Sequence, residues 1–595
     1  MTIGERLAMS KRLWIKGRVV RALLITATAL AAIGVAQTCF LGLRLFGRPS
    51  NTATQAADPK SGSALPGQDT FNGHKVILDS QNKIIPWSTP IDKAYDHFLR
   101  LRWDFIKTKV PNCPGPPPRS SYPQYYFYCA FWDKNGVLDP DTWMNDVGEK
   151  IPNWFESARL YYAYTGDATV MAIVKKLMDY TLAHGTSPAS IAWPNFPYTT
   201  TNAGDMEFRG FTNNKRFALN ETQVGYAGDM GLADYRMYLY SGDEQYLTAA
   251  LNVANTLASK AHTGTSTESV WPDRVVMDAG KVTSEYGAHW VGCYMLFDQL
   301  IKAKLGNVQA YENARAKTRD FLLQYPLKTG YWADGHTDNP DYGNTYKSNT
   351  PESNFTLALF DYPELDPEWR EDVPKLIKWT EDNFVFRRAP GEPATQWGAN
   401  IVGEQDGFLP KMDYQTARYA AECARWYAVS GDATYKEKAY RSLNWVTYCN
   451  QPDGEGIESP VSKHISNWWS DLYGECPRMF YPAFAGIPEW APPGENHILY
   501  SDAVLKDVSY AVRQVQYTAT QGPGTEYLRL AFQASSVTLN GLHLSLRPDL
   551  SRGGSPTTPS SSRSLSWEEY TMRDLGHGDY ALEIRRVKPG RVVIR

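Results

Sequence analysis

The sequence predicts a mainly α protein: six helical hairpins, each an outer helix followed by an inner one, then a small C-terminal β domain. Three observations predict it. A Gly-Asp cassette closes helical stretches at Thr165-Gly166-Asp167, Ser241-Gly242-Asp243 and Ser430-Gly431-Asp432. Glycine suits the left-handed position just past a helix, and aspartate caps the next helix at once, so each cassette is a tight helix–helix turn. Leu305-Gly306-Asn307 is a degenerate copy, and Asp366-Pro367 is a fifth join with proline in the first turn of the following helix. Second, the helix after each join is the more polar of its pair. Residues 433–449 put Lys436, Glu437, Lys438 and Arg441 outside and Tyr435, Ala439, Leu443 and Val446 inside, whereas 220–241 is small or apolar nearly all round. Third, from about residue 497 the pattern changes to the alternation of strands.

At the N-terminus, Arg6, Lys11, Arg12, Lys16, Arg18 and Arg21 stand against Glu5 alone in residues 1–21, and residues 22–43 are almost free of charge. This predicts a transmembrane helix with a cytoplasmic basic segment before it. The alternative is a signal peptide cut after Ala36, but the apolar run continues through 40–43 and favours the anchor. Either way the bulk of the chain is expected outside the cytoplasm, periplasmic or extracellular, and secreted if the signal is cleaved. Residues 44–91 read as a flexible linker, rich in Ser, Thr, Ala, Gly and Pro at 51–73.

The outer helices are expected at 92–107, 168–184, 244–261, 308–325, 368–384 and 433–449. Their inner partners are expected from about Asn153, from Asn220, at 284–304, 352–360 and 414–429, and from about Asn467. The helical domain therefore covers 92–491. The β domain, 492–595, has expected strands at 511–517, 527–532, 537–539, 580–585 and 591–594, with a Ser/Pro-rich loop at 551–566. Cys113/Cys129 and Cys449/Cys476 lie in loop-rich flanks and suit disulfides, whereas Cys293 and Cys423 sit in helical patterns as buried thiols. No Cys-x-x-Cys occurs, and the Asp-Gly-His-Thr-Asp run at 334–338 lacks a recognised calcium-loop pattern, so no metal or cofactor is expected. A net charge of -3 gives no reason to expect nucleic acid. The 19 Trp and 37 Tyr suit either a large core or a sugar-stacking cleft.

The repeated joins, in YTGDATVMAIVKKL, YSGDEQYLTAAL and VSGDATYKEKAY, together with the trailing β domain, resemble the six-hairpin glycosidase-like superfamily of carbohydrate-active enzymes over roughly residues 92–491. The resemblance implies an (α/α)6 toroid whose short turns close one face. The long loops lie on the other face, at the inner-helix N-termini. The superfamily holds hydrolases, lyases and epimerases, and fold alone does not choose among them.

That geometry puts these residues at the mouth, hairpin by hairpin: Asn153 and Glu156; Asn220, Glu221 and Gln223; Glu285, Tyr286 and His289; Glu352 and Asn354; Asp413 and Gln415; Trp468, Trp469 and Asp471. The long loops add Trp193, Trp271, Arg274, Trp332 and Trp397, whose faces and donors suit sugar rings and hydroxyls. Helix capping and loop anchoring are the competing explanation for any single residue. Recurrence on one face favours function.

Hydrolysis needs a carboxylic acid and a second carboxylate. Hairpins 2 and 5 oppose each other in a six-fold ring, so Glu221 and Asp413 are the expected catalytic pair, with Glu285 and Asp406 in reserve. A lyase instead needs a base such as Tyr286 or His289, beside a cation such as Arg209, Arg216, Arg274 or Lys411 to neutralise a uronate. The expected function is an extracytoplasmic glycoside hydrolase acting on an oligo- or polysaccharide. The alternatives are a polysaccharide lyase or uronate-directed hydrolase on the same fold, and a non-catalytic glycan-binding envelope protein.

Overall fold

A computed structural model of the chain describes residues 70–71, 73–131, 144–210, 218–334, 346–387, 395–406, 411–458, 468–548 and 566–595. The chain divides into units Met1–Ala57 and Asp58–Arg595, and every described residue belongs to the second. The expected membrane helix at 22–43 lies outside the described residues. Among those described, no helix is long and apolar enough to cross a membrane.

The outer–inner pairs are α1 (Ala94–Thr108) with α2 (Val147–Thr165), α3 (Thr169–His184) with α4 (Val224–Ser241), and α5 (Glu244–Lys260) with α6 (Val291–Ala303). They continue with α7 (Val308–Gln324) and α8 (Asn349–Leu359), α9 (Trp369–Asn383) and α10 (Asp413–Ser430), and α11 (Ala433–Thr447) and α12 (Phe480–Gly486). The inner helices pack in a closed circuit: α2 on α4, α4 on α6, α6 on α8, α8 on α10 and α10 on α12. A short helix, Leu472–Glu475, then returns to α2. The joins form as the sequence predicts. Gly166, Gly242 and Gly431 are left-handed at φ 78, 75 and 71°, and Asp243 and Asp432 cap the next helices through Gln245 N and Thr434 N. Residues 413–426 of α10 are all buried, the charged Arg418, Glu422 and Arg425 included. Trp103, Trp154, Trp271, Trp290, Trp332 and Trp445 are fully buried, so much of the aromatic surplus builds core.

Three inner elements differ from expectation. Residues Glu221–Gln223 form a strand paired with Arg274–Val276, so α4 starts at Val224 rather than at Asn220. The strand Lys281–Ser284 joins the same sheet, which moves the start of α6 to Val291 and leaves Glu285, Tyr286 and His289 ahead of the helix. In the sixth hairpin the expected helix is broken into Leu472–Glu475, a 3-10 turn at Pro477–Met479 and α12. Pro477 has no N–H with which to continue the helical ladder.

The C-terminal region is two five-stranded sheets. Ile498, Leu528 and Ile584 of one pack against Val515, Tyr517 and Val592 of the other in a single apolar core. Where one strand was expected at 511–517, the chain turns between Leu505–Ala511 and Gln514–Ala519 and leaves Val512 exposed. This region sits on the Gly-Asp end of the helices: Arg159 donates to Ser501 O at 3.0 Å and Tyr162 Oη accepts from Val508 N at 3.1 Å. The expected Cys113–Cys129 bridge does not form. Cys113 Sγ donates to Pro123 O and Cys129 Sγ to Asp471, and Cys449 and Cys476 are likewise free and buried.

Candidate functional site

The inner helices enclose an axial cavity of about 170 Å³. That is room for about one sugar ring, since ~150 Å³ accommodates a benzene-sized ligand. Its polar lining falls into two layers seven residues apart, the spacing that returns to one helix face after two turns. Glu149, Asp229, Asn354 and Arg418 form the layer near the inner-helix N-termini, the loop end. Glu156, Arg236, Asp361 and Arg425 form the layer near the Gly-Asp joins, the turn end.

At the turn end the charges are matched. Glu156 meets Arg159 at 2.5 Å and Arg236 at 2.6 Å. Burial alone would raise the Glu156 carboxyl, but the two guanidinium groups outweigh it and hold it at about 2. Asp361 meets Arg425 at 2.9 Å and accepts from Tyr500 Oη at 2.5 Å. Tyr500 and Asp502 of the β region complete the lining here. Burial, then the nearby Asp361 and Glu526 charges, pushes the Asp502 carboxyl up to about 7.

At the loop end, His289 stands just ahead of α6. Its Nε2 lies 2.6 Å from Asp229 Oδ2 and its Nδ1 3.7 Å from Asp334 Oδ2. Tyr226 stacks on the imidazole with ring centroids 4.1 Å apart and donates to Asp334 at 3.0 Å. Burial by itself would lower the imidazole, but Asp229, then Asp334, override it and hold it at about 10. His289 is therefore an imidazolium at neutral pH. Two glycines permit the contact: a Cβ at Gly292 would land on Asp229 Oδ1, and one at Gly225 on the His289 carbonyl oxygen. α4 and α6 thus approach closely enough for the Asp229–His289 bond. Beside Glu149 of α2, burial and then the Glu149 charge drive the carboxyl of Glu475, on the short helix Leu472–Glu475, well above the usual range.

Of the residues expected at the site, His289 and Asn354 line the cavity, as do Asn153 and Glu156. Glu221 and Asp413 do not meet across it. The Glu221 carboxylate accepts from Ala218 N at 2.5 Å and from Thr283 Oγ1. Asp413 is buried against Arg102 of the outer helix α1 at 2.9 Å, and burial lifts its carboxyl to about 6 against the pull of that guanidinium. These partners hold both carboxylates away from the cavity. Glu285 is exposed and Asp406 half-buried, and neither lines it.

The expected sugar platforms are elsewhere too. Trp271 donates to Leu257 O at 2.8 Å, Trp332 packs on Phe355, and Trp193 lies buried beneath the Lys260 ammonium. Tyr286 donates to Tyr331 O at 3.3 Å, Gln223 and Arg274 are paired across strands, and Asn220 reaches Asp278. Trp397 sits half-buried at a left-handed φ of 44°, and Trp468–Trp469 pair with Ala130–Phe131. The cavity's aromatic lining is Tyr226, Tyr362 and Tyr500. Arg216 lies outside the described residues, as do His336 and Asp338 of the 334–338 run. Sequence reasoning missed Asp229, Arg418 and Arg478, and the charged residues seven apart inside otherwise buried helices were the signal available.

Outer–inner pairs closed into a circuit around an axial cavity decide the architecture. The chain has the six-hairpin glycosidase-like fold. Solved six-hairpin structures are similar to it over about two thirds of its length. A D-mannose isomerase matches with a TM-score of 0.47 at 11% identity, over 66% of this chain and 99% of the isomerase. The cellobiose 2-epimerase of Spirochaeta thermophila matches with a TM-score of 0.44 at 10% identity, over 68% and 99%. A family 76 mannosidase of Bacteroides thetaiotaomicron matches with a TM-score of 0.41 at 13% identity, over 66% and 99%. Neither a protein-family model nor a curated protein matches the sequence.

Proposed function

We propose that this six-hairpin protein is a carbohydrate-active enzyme, a glycoside hydrolase whose oligo- or polysaccharide substrate places one ring in the loop end of the axial cavity. The observation that carries the reading is the His289 imidazolium bonded to Asp229 on the wall of a ring-sized cavity. Hydrolysis requires a proton for the leaving oxygen and a second carboxylate to activate water or attack the sugar. The Asp229–His289 pair stores the proton. Glu149, on the adjacent inner helix, is the second carboxylate. Elimination and epimerisation instead require an unprotonated base at a carbon acid. Burial drives Tyr226 and Tyr286 up, and His289 already carries its proton, so these groups favour acid-assisted hydrolysis. The basic and then apolar N-terminus supports tethering outside the cytoplasm, a reading that recovery of the protein from the cytoplasmic fraction would overturn.

The test is a screen of the full chain against neutral and acidic polysaccharides, reading new reducing ends separately from unsaturated-uronate absorbance. Reducing ends without unsaturation are expected. Asp229→Asn and His289→Gln should each lower turnover per folded molecule at least ~100-fold. Unsaturated products would move the reaction to elimination. Binding without any product would leave a glycan-binding protein.

A further inference from the structure

We propose that the sugar held at the loop end is an acidic one, its carboxylate received by Arg418 and Arg478. This rests on the carbohydrate reading of the same cavity and adds the chemical class of the substrate. Both arginines line the cavity, Arg418 from α10 and Arg478 from the 3-10 turn at Pro477–Met479. Arg418 is 1% exposed, and its one hydrogen bond among the described residues runs to a neutral acceptor, Asn354 Oδ1, at 2.7 Å. Arg478 makes no hydrogen bond or ion pair among the described residues, and the Nε of each arginine is buried without a partner. Arg478 is half-buried, and every buried arginine among the described residues other than Arg418 has a carboxylate within 3.9 Å. Two adjacent guanidinium groups, neither paired with a carboxylate among the described residues, repel each other, and burial followed by Arg418 holds Arg478 down at about 10 against the pull of Glu156, Glu475 and Asp229. An anion entering the cavity relieves both.

The surroundings select the anion. Glu156 and Asp229 also act on Arg478, so the local field suits a single negative charge better than a dianionic phosphate. A planar carboxylate fits the guanidinium fork, and the nearby Asn153, Thr350 and Asn354 suit hydroxyls.

Calorimetric titration of the full chain with D-glucuronate and D-galacturonate, each against D-glucose and D-galactose at low ionic strength, tests this. The acids should bind at least ~10-fold tighter than their neutral counterparts, and Arg478→Gln should bring that ratio near one at unchanged thermal stability. Arg478→Lys, keeping charge without the fork, should fall between. If Arg418→Gln fails to fold, the Arg478→Gln ratio decides. Equal binding of acid and neutral sugars, or of neither, overturns the inference, as does sodium sulfate binding as tightly as the uronates. Cleavage of neutral polysaccharides that Arg478→Gln leaves unchanged would overturn the acidic sugar and keep the hydrolase. Uronate preference without turnover on any polysaccharide would do the reverse.

Discussion

The two layers of the axial cavity are built by the same helices and differ in how their charges are met. At the turn end, Glu156 holds Arg159 and Arg236, and Asp361 holds Arg425 together with Tyr500. Seven residues earlier on α10, the one hydrogen bond of Arg418 among the described residues goes to the neutral Asn354, and seven residues earlier on α4, Asp229 meets a histidine whose proton it stabilises. The same residue type is therefore paired with a carboxylate or left facing the cavity according to its layer. A guanidinium under the β region is clamped by a carboxylate and covered by the Tyr500 and Tyr527 rings, whereas one at the loop end faces space that a ligand can fill.

The sharpest break of this comparison is Glu156→Gln. It leaves Arg159 and Arg236 buried without their carboxylate, a change that costs about 3–5 kcal/mol when a buried pair loses one partner. Urea unfolding should show the loss, with turnover per folded molecule little changed. A cost of less than ~1 kcal/mol, the scale of exposed pairs, would mean that the turn-end clamp is not structural.

Asp413→Asn is expected to come next. It strands Arg102 in the same way, but Asn can still accept one hydrogen bond, so the cost should fall near the lower end of that range, about 3 kcal/mol. Since Asp413 does not line the cavity, the folded variant should keep its turnover, and so should Glu221→Gln. A loss of ~100-fold in either, the scale of acid–base catalysis, would return the chemistry to the pair the sequence suggests.

That pair shows how far the sequence could be read. The Gly-Asp joins were legible because a left-handed glycine and an aspartate cap are decided within a few residues. The polar–apolar alternation of outer and inner helices was legible for the same local reason. The direction of Glu221 was not, because it depends on strand pairing with Arg274–Val276, about fifty residues away and outside any helical period. Nor was the place of Asp229, which sits inside a helix that reads as apolar and meets His289 only because Gly292 lets the two helices approach. That His289 and Asn354 would face the cavity could be read because they lie close to inner-helix starts, where position along the chain still indicates depth in the ring.

The pH dependence should separate the layers without mutation. Glu156 is held at about 2, below its ordinary 4.5, so its contribution to stability is present above that ordinary value and is lost as pH falls towards about 2. His289 has the opposite sign. Held at about 10 rather than 6.5, its imidazolium contributes fully below 6.5, and that contribution is lost as pH rises through about 10. Stability should therefore weaken on the acid side through the turn-end clamp. Turnover that depends on the stored proton should stay level through neutral pH and fall on the alkaline side. A turnover decline centred at about pH 6.5 would show His289 titrating as an ordinary imidazole.

The smallest expected effect comes from Glu285→Gln. Glu285 lies four residues before His289 and was a reserve catalytic carboxylate on sequence grounds, so it tests closeness in the chain against membership of the cavity layer. Its side chain is exposed and lines no part of the cavity, while its backbone carbonyl, which the substitution keeps, accepts from Ser269 N at 3.3 Å. Stability should change by no more than ~0.5 kcal/mol, as for surface substitutions generally, and turnover on any polysaccharide the protein cleaves should be unchanged. A drop of ~10-fold or more at preserved stability would mean that carboxylates beyond the cavity wall take part in the reaction. The boundary of the site would then extend past the loop-end layer towards the sheet formed by Glu221–Gln223, Arg274–Val276 and Lys281–Ser284.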